Sequence, residues 1–183
     1  MLLTGLLPDI TTDPAIETAI DSVEAGRSGT IVAPVGIRPP LLAAVASRAA
    51  TPLVVLTATG RDAESLTNAL ASWIPGVAML PAWETLPHER LSPQVDTMAR
   101  RIAVLRRLVH PIKGDDSAGP VSVLVVPIRA FLQPIISGLA DLEPVRVRTG
   151  DILDLTETTN RLAELGYERV DMVEGRGQMS VRG

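Results

Sequence analysis

Short apolar runs rich in β-branched residues alternate along this chain with stretches of helical periodicity, and that alternation constrains the fold more than any other feature. Thr30-Ile31-Val32-Ala33-Pro34 follows Gly29 as a first run and leads into a helical stretch rich in Ala and Leu, residues 41 to 50. Leu53-Val54-Val55-Leu56 is a second run, bounded by Pro52 and Gly60. Behind it, residues 62 to 73 carry Leu66, Ala69, Leu70 and Trp73 at helical spacing. A third run at 77 to 80 enters a proline-rich loop, a helix is expected from about Gln94 to Val109, and residues 121 to 126 form a fourth, wholly apolar run. Strands that are apolar on both faces and separated by helices predict a parallel sheet covered on both sides, hence an α/β lobe. After Pro134 the pattern changes to a strand over 144 to 148, a helix from about Leu155 to Leu165 closed by Gly166, and two short strands at the end. The boundaries expected from this reading are an α/β lobe over residues 1–133 and the start of a small α+β domain over residues 134–183.

Composition removes several classes of function. There is no cysteine, so disulfides, thiolate metal sites and cysteine nucleophiles are absent together. Apolar runs such as Val123-Leu124-Val125-Val126 fall far short of the roughly 18 residues that cross a bilayer, and the N-terminus has no charged start followed by an apolar core. The expectation is a cytoplasmic chain with no membrane partner. A net charge of −4 argues against a surface that clamps nucleic acid all over, although a local basic patch is compatible with it. The 17 basic residues comprise Lys113 and sixteen arginines, which bears directly on nucleotide binding.

A strand opening into a glycine-containing loop and then a helix is where a phosphate cradle of the form G-x-x-x-x-G-K-[ST] is kept. That position here reads Ala33-Pro34-Val35-Gly36-Ile37-Arg38-Pro39-Pro40. Pro39 replaces the lysine and Pro40 the magnesium-binding hydroxyl, and neither has the backbone N–H that holds a phosphate oxygen. Lys113 lies in a remote polar loop. No cofactor is expected: Gly36, Arg38, Pro39 and Pro40 form a degenerate nucleotide loop, and the lobe carries no catalytic set.

Within the helix expected over 94–109, Val95, Met98, Ile102, Leu105 and Leu108 make one apolar stripe, with Ser92 as N-cap and Pro93 at the first helical position. Arg100, Arg101, Arg106 and Arg107 occupy the other side, with Asp96 placed to pair Arg100. They are either a solvated face or a surface that contacts phosphates or a partner. Near the C-terminus, two glycines in Glu174-Gly175-Arg176-Gly177 suit a hairpin loop. An antiparallel hairpin closed there would set Val173 opposite Gln178, Asp171 opposite Ser180 and Arg169 opposite Arg182, with Val170, Met172, Met179 and Val181 on the buried face. Two arginines side by side either splay into water or pair with Asp171 and Glu174, or else await an anionic partner. His88 and His110 are far apart with no ligand spacing, so no metal site is expected. Glu84, His88 and Glu89 share a loop whose prolines suggest a structural role, pinned to the core by Trp83 and Leu86.

Two separated segments resemble one family. Leu80-Pro81-Ala82-Trp83-Glu84-Thr85-Leu86-Pro87-His88-Glu89-Arg90-Leu91-Ser92-Pro93, running on to Asp96-Thr97, is similar to the bacterial transcription-repair coupling factors. Gly166-Tyr167-Glu168-Arg169-Val170-Asp171 and Arg176-Gly177-Gln178-Met179-Ser180-Val181-Arg182-Gly183 resemble the matching segments of that family and of the excision-repair protein UvrB. The resemblance implies a helicase-like, P-loop-NTPase-like lobe that has lost its nucleotide motif, followed by part of a UvrB-domain-2-like domain that docks UvrA. It implies partner-binding roles for Arg169 and Arg182, with Asp171 and Arg176 beside them, while Ser180 stands where UvrB can carry a further arginine. In that family the full protein is an ATP-dependent DNA translocase that displaces stalled RNA polymerase, engages duplex DNA through other domains and recruits UvrA for nucleotide excision repair.

Two other readings compete: a DNA-binding module using the arginines of helix 94–109, and an α/β nucleotide-binding enzyme. The resemblance also implies a further strand beyond Gly183, so an open sheet edge, exposed apolar surface and self-association are expected.

Overall fold

A computed structural model describes residues 2–85 and 93–182. Three strands, β1 (Leu53–Thr57), β2 (Val77–Met79) and β3 (Val123–Pro127), form a parallel sheet in the order β1-β3-β2. The central β3 is buried along its whole length, as an apolar run between two neighbours requires. Val123 and Val125 face one core and Leu124 and Val126 the other, by the alternation of side chains along a strand.

The first core is built by α1 (Leu7–Thr11), α2 (Pro14–Glu24), α3 (Arg38–Arg48) and α4 (Gly60–Leu70), around Ile20, Ala43, Ala44, Ala63 and Leu70. α3 packs against α1, α2 and α4, and Arg48 fastens it to α2 through a two-point ion pair with Glu24 at 2.7 and 3.0 Å. Asp13 caps α2 by accepting from the Ala15 and Ile16 amides, with Pro14 next in the first turn. α4 is capped by Thr59 and spans 60–70, a little earlier than the helix expected over 62–73. On the other face, α5 (Val95–Val109) covers β2 and β3 through Val104 packed with Ala78, Leu80, Leu124 and Val126. Val54 and Leu56 of β1 lie on that same side and stay half exposed, as do Phe131 of the short α6 (Ile128–Phe131) and Ile135.

Several expectations are corrected. Residues 30–34 form no strand: Pro34 lacks a donor, Thr30 to Ala33 find no neighbouring strand, and Val32 is 96% exposed. The sheet therefore has three strands instead of four, covered on both faces only around β3. α5 starts at Val95 with Gln94 as its N-cap, so Pro93 precedes the helix; Ser92, the expected cap, and Leu86, the expected pin, lie outside the described residues, as do His88 and Glu89. Residues 144–148 run without a sheet ladder.

The C-terminal strands form, but as a parallel pair. β4 (Glu168–Arg169) and β5 (Gln178–Met179) align Glu168 with Gln178 and Arg169 with Met179, so the antiparallel pairing of Arg169 with Arg182 does not occur. The Gln178 side chain accepts from the Glu174 and Gly175 amides at 2.8 and 3.1 Å, folding the connection back on itself so that the second segment runs the same way as the first. Of the apolar residues assigned to the inner side, Met179 is buried, whereas Met172 is 66% exposed. Between β3 and these strands in sequence lies α7 (Leu155–Glu164), capped by Asp154 and ending before Gly166, with none of its residues buried.

Candidate partner-docking surface

Arg169 and Arg182 meet despite the changed pairing. Together with Val170, Asp171, Ser180 and Val181 they line a concavity of about 450 Å³ beside the β4–β5 pair. Arg182 Nη2 donates to the Asp171 carbonyl at 3.0 Å and Ser180 Oγ donates to the same oxygen at 3.1 Å. Asp171 thus contributes its backbone, and its carboxylate forms no ion pair with either arginine among the described residues. Both arginines are exposed and carry no carboxylate partner among the described residues, so the concavity is positively charged and its chemistry suits acidic groups.

The four α5 arginines behave differently from one another and from a solvated face. Arg100 Nε pairs with Asp96 at 2.7 Å, as the spacing of four residues predicts. Arg107 donates to the Gly119 carbonyl at 2.9 Å and to Pro120 at 3.5 Å, holding the polar loop after α5. Arg106 donates to the carbonyls of Leu142 at 3.1 Å and Ala140 at 3.5 Å, with Glu143 at 3.8 Å. Next to it, His110 Nε2 lies 2.7 Å from the Asp141 carboxylate. These three arginines therefore contact their own chain.

Arg101 is the one that sequence patterning misplaced. It is 1% exposed, its guanidinium stacks 4.4 Å from the Trp83 ring centroid, and Nη1 donates to the Pro81 carbonyl at 2.6 Å. Burial pushes its pKa below the ordinary arginine value. Trp83 is thus pinned by a cation, and its backbone is gripped from the far side by Gln133, which accepts from the Trp83 amide at 2.8 Å. Glu84 follows, bonded to the Thr97 hydroxyl, and this bond is the main cause that holds its carboxyl below the usual range. Arg101→Ala removes the stacking and leaves a void, so it is expected to destabilise by about 2–3 kcal/mol. Arg101→Met keeps the stem and removes a buried charge whose Nε has no partner, and is expected to cost less than about 1 kcal/mol. Urea denaturation of both variants checks the contrast.

No strand precedes the segment that the sequence reads as a degenerate nucleotide loop; Val35–Ile37 makes one 3-10 turn and Arg38 begins α3, with the prolines in its first turn. Pro40 is buried and Arg38 and Gly36 are exposed, so the residues that remove the phosphate donors start a helix instead. Among the described residues, no three His, Cys, Asp or Glu side chains cluster as a metal site would require. No helix among them is long and apolar enough to cross a membrane.

Residues 145–183, which hold the concavity, match the UvrB interaction domain. The transcription-repair-coupling factor of Mycobacterium tuberculosis is 46% identical over 157 residues, which is 84% of this chain. Those of Escherichia coli and Bacillus subtilis are each 27% identical, over 78% and 87% of the chain. The chain spans only 12–13% of the length of these relatives. With the two quoted segments and the UvrB interaction domain in one chain, it belongs to the transcription-repair-coupling factors, and it carries the UvrB interaction domain at residues 145–183.

Proposed function

We propose that this region is a non-catalytic adaptor that docks UvrA through Arg169 and Arg182 and so links removal of a stalled RNA polymerase to nucleotide excision repair. The observation that carries the reading is the pair of exposed, unneutralised guanidinium groups sharing one concavity within the matched UvrB interaction domain. The division into a lobe over 1–133, of helicase-like ancestry with its phosphate loop lost, and a docking region over 134–183 belongs to the same proposal. So do the ATP-driven translocation, the polymerase contact and the duplex DNA contact of the longer protein, which other domains would supply.

The competing readings fare less well against the geometry. A DNA-binding α5 needs free cations, whereas Arg101 is buried and Arg106 and Arg107 are bonded to their own chain's carbonyls. A nucleotide enzyme needs phosphate donors where Pro39 and Pro40 supply none. The test is a competition. Purified UvrA is titrated with this chain in the presence and absence of UvrB. Displacement by UvrB is the expected result, since both would use the same surface, and simultaneous binding of the two would refute a shared docking mode.

A further inference from the structure

Arg176 stands apart from the two arginines of the concavity. Its Nε lies 3.1 Å from Asp96 Oδ1, while Asp96 Oδ2 takes Arg100 Nε at 2.7 Å, so one carboxylate in the first turn of α5 serves two guanidinium groups. The next residue rests on the same turn. Gly177 has φ +80°, and a Cβ placed on it would meet Val95 Cγ1 at 3.0 Å, so only a glycine lets the backbone lie this close to the helix in that conformation. From there the contacts pass to the concavity, because the Glu168 amide donates to the Gly177 carbonyl at 2.8 Å and Glu168 precedes Arg169 in β4. At the other end of α5, about 15 Å away by helical rise, Arg106 holds the carbonyls of Ala140 and Leu142. The C-terminal region is thus tied to α5 at two separate points.

We propose that Arg176 is an internal anchor and not a partner contact: with Asp96 it is a positioning residue that seats loop 174–178 on α5 and thereby sets where Arg169 and Arg182 stand. The assignment rests on the UvrA-docking reading above. It explains why three arginines near one surface have different surroundings: Arg176 is already neutralised by a carboxylate of its own chain, and the other two are not. An exposed ion pair contributes modestly, so the effect expected on binding is about 2–5-fold, smaller than that of a direct contact.

A double-mutant cycle decides it. UvrA binding to the 183-residue chain is measured by calorimetry for the wild type, Asp96→Asn, Arg176→Gln, the double variant and Asp96→Glu, with Arg169→Glu as reference. Each single neutralisation is expected to weaken binding by about 2–5-fold, the double variant no further, and Asp96→Glu to retain wild-type affinity. Without partner, amide exchange over 174–178 should speed up equally in both single variants. A silent Asp96→Asn beside a weakened Arg176→Gln, or losses that multiply in the double variant, would overturn the proposal by making Arg176 a direct contact. Wild-type affinity in all three neutralised variants would overturn it as well. Failure of the docking reading has a different signature, namely no binding by the wild type or full binding by Arg169→Glu, and it would remove both conclusions.

Discussion

Gly76→Ala is expected to lower the stability of this chain by about 3–4 kcal/mol. Gly76 opens β2 with φ +76°, a conformation that costs an L-residue about 1–2 kcal/mol. A Cβ there would also stand 2.7 Å from the Pro120 carbonyl oxygen and 3.0 Å from the Ser122 amide nitrogen. Neither can retreat cheaply. The Ser122 amide donates to the Gly76 carbonyl at 2.8 Å, and the Ser122 carbonyl accepts from the Leu53 amide at 2.9 Å. The turn is therefore fused to the start of the central strand and, through it, to the edge strand. In a chain of this size the loss corresponds to a melting temperature lower by roughly 6–16 °C. Gly60→Ala is the control: Gly60 begins α4, no heavy atom lies within 4 Å of its added Cβ, and the same change there is expected to be neutral or mildly stabilising. Equal melting temperatures for the two variants would contradict the account of this turn.

The second large effect concerns recognition and leaves the fold alone. Arg169→Glu or Arg182→Glu is expected to weaken UvrA binding by at least about 30-fold, and the two together to abolish it, because charge reversal replaces attraction with repulsion at the centre of the seat. Stability should move by no more than about 0.5 kcal/mol, since both side chains are exposed and neither forms an ion pair among the described residues. Binding should also weaken as salt rises, and the double variant should lose that dependence.

The parallel sheet was readable because Leu53 to Leu56 and Val121 to Val126 are apolar runs bounded by proline and glycine, and helices separate them. Residues 30–34 show the same local pattern and form no strand, because a run of apolar residues does not encode whether a neighbouring strand is present to receive its backbone. α2 lacks a preceding apolar run to mark it, although Asp13-Pro14 carries a usable start signal, an N-cap carboxylate followed by a proline in the first turn. At the concavity, the resemblance points to Arg169 and Arg182, and period-two reasoning brings them together by an antiparallel pairing that the chain does not adopt. Within the connection, Gln178 accepts from the Glu174 and Gly175 amides, a side-chain contact invisible to periodicity. Arg101 was placed on a polar face for a similar reason. Charge alone cannot announce that Trp83, eighteen residues earlier, will supply a face to stack on.

The central claim is that two arginines make this region a UvrA-docking adaptor, and one titration tests it most directly. UvrA is titrated with the wild-type chain beside Arg169→Glu and Arg182→Glu, with circular dichroism establishing that all three are folded. The account predicts binding by the wild type and binding weaker by at least about 30-fold in both variants. Undiminished binding by either folded variant, or none by the folded wild type, would contradict it.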